Sequence, residues 1–105
     1  MNTNVNSGWK KVAAPKRWAP EIGEILEGTY LGSRPADGKF GPYVKYLIAD
    51  EDQNVWYLSG AVCDTLFISS LAQHGAKLRV VFLGMKETQA GEYKDFDMYV
   101  KDPLT

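Results

Sequence analysis

His74 and Cys63 are the only histidine and the only cysteine in the 105-residue chain. Nucleophilic catalysis needs an activating partner beside the nucleophile, and structural zinc sites need about four Cys or His ligands. Neither demand is met. His74 stands beside Gly75, where the sequence predicts the end of a helix and contacts to its last carbonyls. Cys63 precedes the predicted helix, a position that can lower a thiol pKa, yet no histidine lies near it in sequence, which favours a buried thiol. Asp50, Glu51 and Asp52 cluster like metal ligands but read as a polar hairpin turn, where acids are common for conformational reasons. The sequence therefore predicts no catalytic residues, no metal and no cofactor.

A second set of residues suits a different chemistry. Tyr43, Lys45, Tyr57, Arg79, Tyr93, Tyr99 and Lys101 fall on outward positions when strand parity is applied, and they mix aromatic rings with cations. Rings offer π-faces to unpaired bases and cations follow a phosphate backbone, which is how single-stranded nucleic acid is held without sequence preference. The plainer reading is that the tyrosines form cross-strand pairs supporting a sheet. Asp95 and Asp97 share this parity and would repel phosphate, so they must lie off any strand's path. The segment 34–43 adds Arg34, Lys39 and Phe40 beside Pro and Gly, either as a flap with a ring at its tip or as a plain connection with Phe40 folded onto the core. The first twenty residues contribute Trp9, Lys10, Lys11, Lys16, Arg17 and Trp18.

Charge divides the chain in the same way. Residues 1–20 hold four basic residues and no acid, whereas the remainder holds 8 basic and 13 acidic residues, a balance of −5. A basic arm on an acidic body suggests an anionic partner for the arm, against the alternative of a solvated tail. Residues 1–8, nearly devoid of apolar side chains, are expected to lack order, and 1–20 to form an arm outside a domain spanning 21–102.

The elements that must position these residues follow from periodicity. Strands are predicted at 23–34, interrupted by Gly28 and Gly32 as bulges or tight bends, at 43–49, at 55–59, from Leu78 to Phe82, and at 93–101. Asp64 caps a predicted helix over 64–74, with Leu66, Phe67, Ile68 and Leu71 as its apolar face and Gly75 as its C-cap. Val44, Ile48, Leu58, Leu78, Val80, Phe82, Phe96 and Met98 are expected in the core, with Val100 also inward and Leu47 outward. The fold class is all-β: a five-stranded OB-fold barrel, closed or nearly so, with one short helix between strands 3 and 4. The short connections exclude a parallel α/β sheet.

The stretch from Glu21 to Gly32, followed by Gly38-Lys39-Phe40-Gly41-Pro42-Tyr43, resembles small phage-type single-stranded-DNA-binding proteins with an OB-fold. Phe82-Leu83-Gly84 with Gly91 to Phe96 is similar to the last two strands of that group, so the resemblance covers roughly residues 20–100. It implies non-sequence-specific binding of single-stranded DNA in replication or recombination, without catalysis. RNA is the alternative ligand, and replication proteins or further copies of the chain are the expected protein partners. The chain ends Val100-Lys101-Asp102-Pro103-Leu104-Thr105, without the acidic tail by which bacterial housekeeping members recruit partners. The rival reading is an OB module that docks on a replication or transcription protein, which the acidic body favours. A lone cysteine, a polar N-terminus and no long apolar run predict a cytoplasmic protein, in the host cytoplasm if phage-encoded, with no membrane association.

Overall fold

The computed structural model describes residues 14–101. Six strands and one helix run in the order β1 (Lys16–Arg17), β2 (Ile25–Gly38), β3 (Gly41–Ala49), β4 (Val55–Leu58), α1 (Ala61–Ser70), β5 (Lys77–Thr88) and β6 (Gly91–Val100). All six strands form one sheet in the order β1-β4-β3-β2-β5-β6. The four pairs among β2 to β6 are antiparallel, and β1 adds to β4 in parallel. The fold is thus all-β, with the one helix among the described residues between the fourth and fifth strands of this count, which are the third and fourth long ones.

The long second strand lets the sheet curl, because β2 pairs with β5 through its first half and with β3 through its second. Two glycines make the bend. At Gly28 a side chain would overlap the Ala49 carbonyl, so only glycine admits the close approach of β3. At Gly32, with φ at 99°, the register with β3 slips past Leu31. This β-bulge sharpens the local twist.

Inward positions fill the concave side. Leu26, Tyr30, Tyr46, Ile48, Leu58, Leu78, Val80, Phe82 and Phe96 form one buried cluster with Cys63 and Phe67 of α1. The two helix residues lie at i and i+4, so one helical face meets the sheet. The Phe67 ring stacks on Tyr46 at 4.3 Å between centroids and tilts against Tyr30 at 5.1 Å. The Tyr46 hydroxyl donates to Asp64 Oδ1 at 2.7 Å, which ties β3 to the first turn of the helix. Burial, followed by that hydrogen bond, pushes the Tyr46 pKa up.

Several expectations need correction. The strand count is six rather than five, because residues 16–17 of the basic arm pair with β4. No ladder joins β6 to β1 or β4 among the described residues, so the sheet is a half-barrel whose gap is bridged by side chains. The helix spans 61–70, not 64–74: Gly60 is its N-cap without a side-chain bond, and Leu71 in the left-handed conformation ends it. Asp64 is therefore inside the first turn, Cys63 is inside the helix, and Gly75 belongs to the following loop, where its N–H donates to the Tyr30 carbonyl. Residues 35–38 continue β2 instead of forming a loop, since Pro35, Ala36, Asp37 and Gly38 pair with Val44, Tyr43, Pro42 and Gly41. Six of the eight expected core residues are buried; Val44 and Met98 pack against the cluster half-buried. Val100 is exposed at the end of the edge strand β6, and Leu47 is buried although it shares the outer face with Lys45. The expected disorder of residues 1–8 falls outside the described residues. No helix among the described residues is long and apolar enough to cross a membrane.

Candidate nucleic-acid interface

Strand pairing brings Arg17, Arg34, Tyr43, Lys45 and Tyr57, out of the larger expected set, to one outer face. Arg17 is paired with Tyr57, Tyr57 with Leu47, and Leu47 with Gly32, giving one row across β1, β4, β3 and β2. The next row on this face sets Lys45 opposite Arg34, and the one beyond sets Tyr43 opposite Ala36. The Lys45 ammonium lies over the Tyr57 ring, 4.4 Å from its centroid. Tyr43, Lys45 and Tyr57 are half-buried rather than open: Lys45 covers the Tyr57 ring, and the Tyr43 ring lies against Gly38.

At the upper end of this face, β2 and β3 extend as a ribbon to a two-residue turn, Lys39-Phe40. Phe40 is 97% exposed, which excludes the reading in which it folds onto the core. Its ring is 5.7 Å from the Lys39 ammonium. Under the ribbon lies a groove of about 390 Å³ lined by Arg17, Lys39, Phe40, Tyr43 and Tyr57, with Gly38, Gly41, Pro42 and Ser59 completing it. No acid lines it.

The electrostatics of this face are one-sided. The one ion pair among the described residues is Arg79 with Glu27, on a different part of the sheet. Arg17, Arg34, Lys39 and Lys45 thus have no carboxylate partner among the described residues. Arg34 and Lys45 are like charges directly opposite on neighbouring strands, an arrangement that destabilises a sheet by a few tenths of a kcal/mol to about 1 kcal/mol. A polyanion laid across the two would remove that cost.

The remaining candidates are elsewhere. Arg79, Tyr99 and Lys101 line a hollow on β5 and β6, three strands away from Tyr57 in the sheet order. Tyr93 faces a third hollow between the β5–β6 hairpin and the start of α1. Lys16 is exposed on β1, and Trp18 is half-buried, its N–H donating to the Tyr57 carbonyl at 3.0 Å. Trp9, Lys10 and Lys11 lie outside the described residues. Lys94, two residues before Phe96 on β6 and so at an inward position, lines a small hollow with Arg17, Trp18 and Tyr57 at the gap of the half-barrel. The signal was available: a lysine on an inward position must reach an opening.

The other chemical candidates resolve simply. Asp50 accepts hydrogen bonds from the Trp56 indole at 2.9 Å and from the Asp52 and Asn54 backbones. The Trp56 bond, reinforced by those two, holds its carboxyl below the usual range, and the acidic triple is a turn. No group of three His, Cys, Asp or Glu side chains among the described residues is placed to hold a metal ion. Cys63 is fully enclosed, and burial pushes its thiol up to about 12. His74 is exposed in the loop before β5 and makes no hydrogen bond to the helix carbonyls among the described residues.

No protein-family model matches the chain, and no curated protein or solved structure matches it either.

Proposed function

We propose that the protein binds single-stranded DNA without sequence preference, as a non-catalytic OB-type module acting in replication or recombination. The observation that carries this is the acid-free groove in which Arg17, Lys39, Phe40, Tyr43 and Tyr57 converge, continued by Arg34 and Lys45. Rings at these positions take bases by stacking, and cations without partners take phosphates. Base edges are not read by such a surface, so affinity depends little on sequence. The groove is open along the sheet and suits a strand that enters and leaves, unlike an enclosed pocket for a small molecule. The phage-type resemblance of residues 20–100 points to the same ligand.

Titration of fluorescein-labelled oligo-dT against the full chain at several salt concentrations tests the reading. Four phosphate contacts, from Arg17, Arg34, Lys39 and Lys45, predict a log–log salt slope of about −3. Binding that is absent at low salt, or that does not weaken with salt, would refute it.

A further inference from the structure

The outer face of β2, β5 and β6 repeats the chemistry of the groove at a separate place. Thr29 is paired with Lys77, and the Lys101 N–H donates to the Lys77 carbonyl, so two lysines lie side by side. The adjacent row is Glu27, Arg79 and Tyr99. Arg79 is held by Glu27 at 3.1 Å, whereas Lys77 donates only to the neutral Thr29 hydroxyl and Lys101 has no carboxylate partner among the described residues. Tyr99 is 55% exposed beside them. These residues line a hollow of about 340 Å³, and Lys77 and Lys101 also border the next hollow, below the end of α1. The patch carries three cations against one acid on a body whose balance is −5. Asp97, two residues before Tyr99 on the same face of β6, marks its boundary.

We infer that Lys77, Lys101 and Tyr99 form a second contact surface for the same single strand, distinct from the groove at Tyr57. This rests on the single-strand reading above. Adjacent strands are about 4.8 Å apart, so β4 and β5, separated by β3 and β2, are roughly 14 Å apart around the curl. A strand leaving the groove across β3 and β2 arrives at the patch. A phosphodiester backbone with bases fits better than an acidic peptide, because an exposed ring accompanies two ammonium groups that have no carboxylate partner among the described residues, as it does in the groove.

The test compares fluorescein-labelled oligo-dT of about 4 and about 16 nucleotides, the limits of ordinary OB-fold site sizes. The double variant Lys77→Ala/Lys101→Ala should bind the short oligonucleotide as the parent does. It should bind the long one more weakly, with a salt slope shallower by about 1.4, two contacts at about 0.7 each. Tyr99→Ala should weaken only the long one. If the double variant matches the parent on both lengths while Tyr57→Ala is weakened, the second surface is refuted and the groove stands. Equal weakening on both lengths would also refute it, since the patch would then belong to a single site. A parent that binds neither length overturns the underlying reading instead.

Discussion

The Trp18 and Phe96 rings lie 6.0 Å apart between centroids, with their planes inclined at 33°, across the side of the half-barrel where no ladder closes. Trp18 follows the two-residue strand β1, and Phe96 sits on β6, itself packed against Phe82 at 5.3 Å. Residues 16–18 of the basic arm are thereby anchored at the gap, and Arg17 is delivered to the groove.

Trp18→Ala should lower stability by about 2 kcal/mol, less than the roughly 3–5 kcal/mol for a fully buried aromatic, because Trp18 is only half-buried. Urea denaturation measures this. Oligo-dT affinity should fall as well, since β1 loses the side chain that pins it. A variant as stable as the parent would show that the ring contact does not hold the arm.

Stability should decline in alkali. The Cys63 thiol is raised from 9.0 to about 12 by burial and then by the Asp64 charge, so the unfolded chain ionises first. Its contribution is complete below pH 9 and is lost as pH rises toward 12. Tyr46, also raised from 10.0, acts in the same direction above pH 10. Denaturation midpoints measured across this range should fall steadily, and Cys63→Ala should flatten the first part of the decline. Midpoints that hold constant through it would contradict the burial of Cys63.

Gly28→Ala should be among the most damaging single changes. The new methyl meets the Ala49 carbonyl and the Ile48 side chain at a bend that neither backbone can vacate. A loss of about 3 kcal/mol or more is expected, read as a lowered denaturation midpoint or as failure to accumulate folded protein. An unperturbed variant would mean that the curl is not made there.

Much of this was legible in the sequence. Two-residue periodicity located the five long strands, and the inward residues Ile48, Leu58, Val80 and Phe96 followed from parity alone. Gly28 and Gly32 were visible as points of bend or bulge, although which did which depends on the approach of β3. Three features were not legible. Lys16 and Arg17 have no strand pattern of their own and pair only because β4 offers a free edge. Pro35 and Gly38 read as loop residues, yet Val44 to Gly41 supply partners that extend the ribbon. The split of the exposed aromatics into Tyr43 and Tyr57 on one face, Tyr99 on another and Tyr93 on a third depends on the curl, which parity within a strand does not carry.

Phe40→Ala should separate binding from folding. The ring is at the ribbon tip and touches no core residue, so stability should stay within about 0.5 kcal/mol of the parent. Affinity for oligo-dT should fall by the worth of one stacked base, about 1–3 kcal/mol. Anisotropy titration and urea denaturation on the same preparation check both halves. Unchanged affinity would remove the ribbon tip from the interface.

The most direct measurement of the central claim is the affinity of Tyr57→Ala for oligo-dT at low salt, beside that of the parent. Tyr57 is the residue around which Arg17, Lys45 and the groove are arranged. Its loss should cost about 1–3 kcal/mol of binding, and the loss should be alike on mixed-sequence oligonucleotides, because stacking does not read base edges. Lys45→Ala, measured alongside, should mainly reduce the salt dependence. If Tyr57→Ala binds oligo-dT as tightly as the parent, the face of β1, β4, β3 and β2 is not where single strands bind, and the docking of a protein partner becomes the reading to pursue.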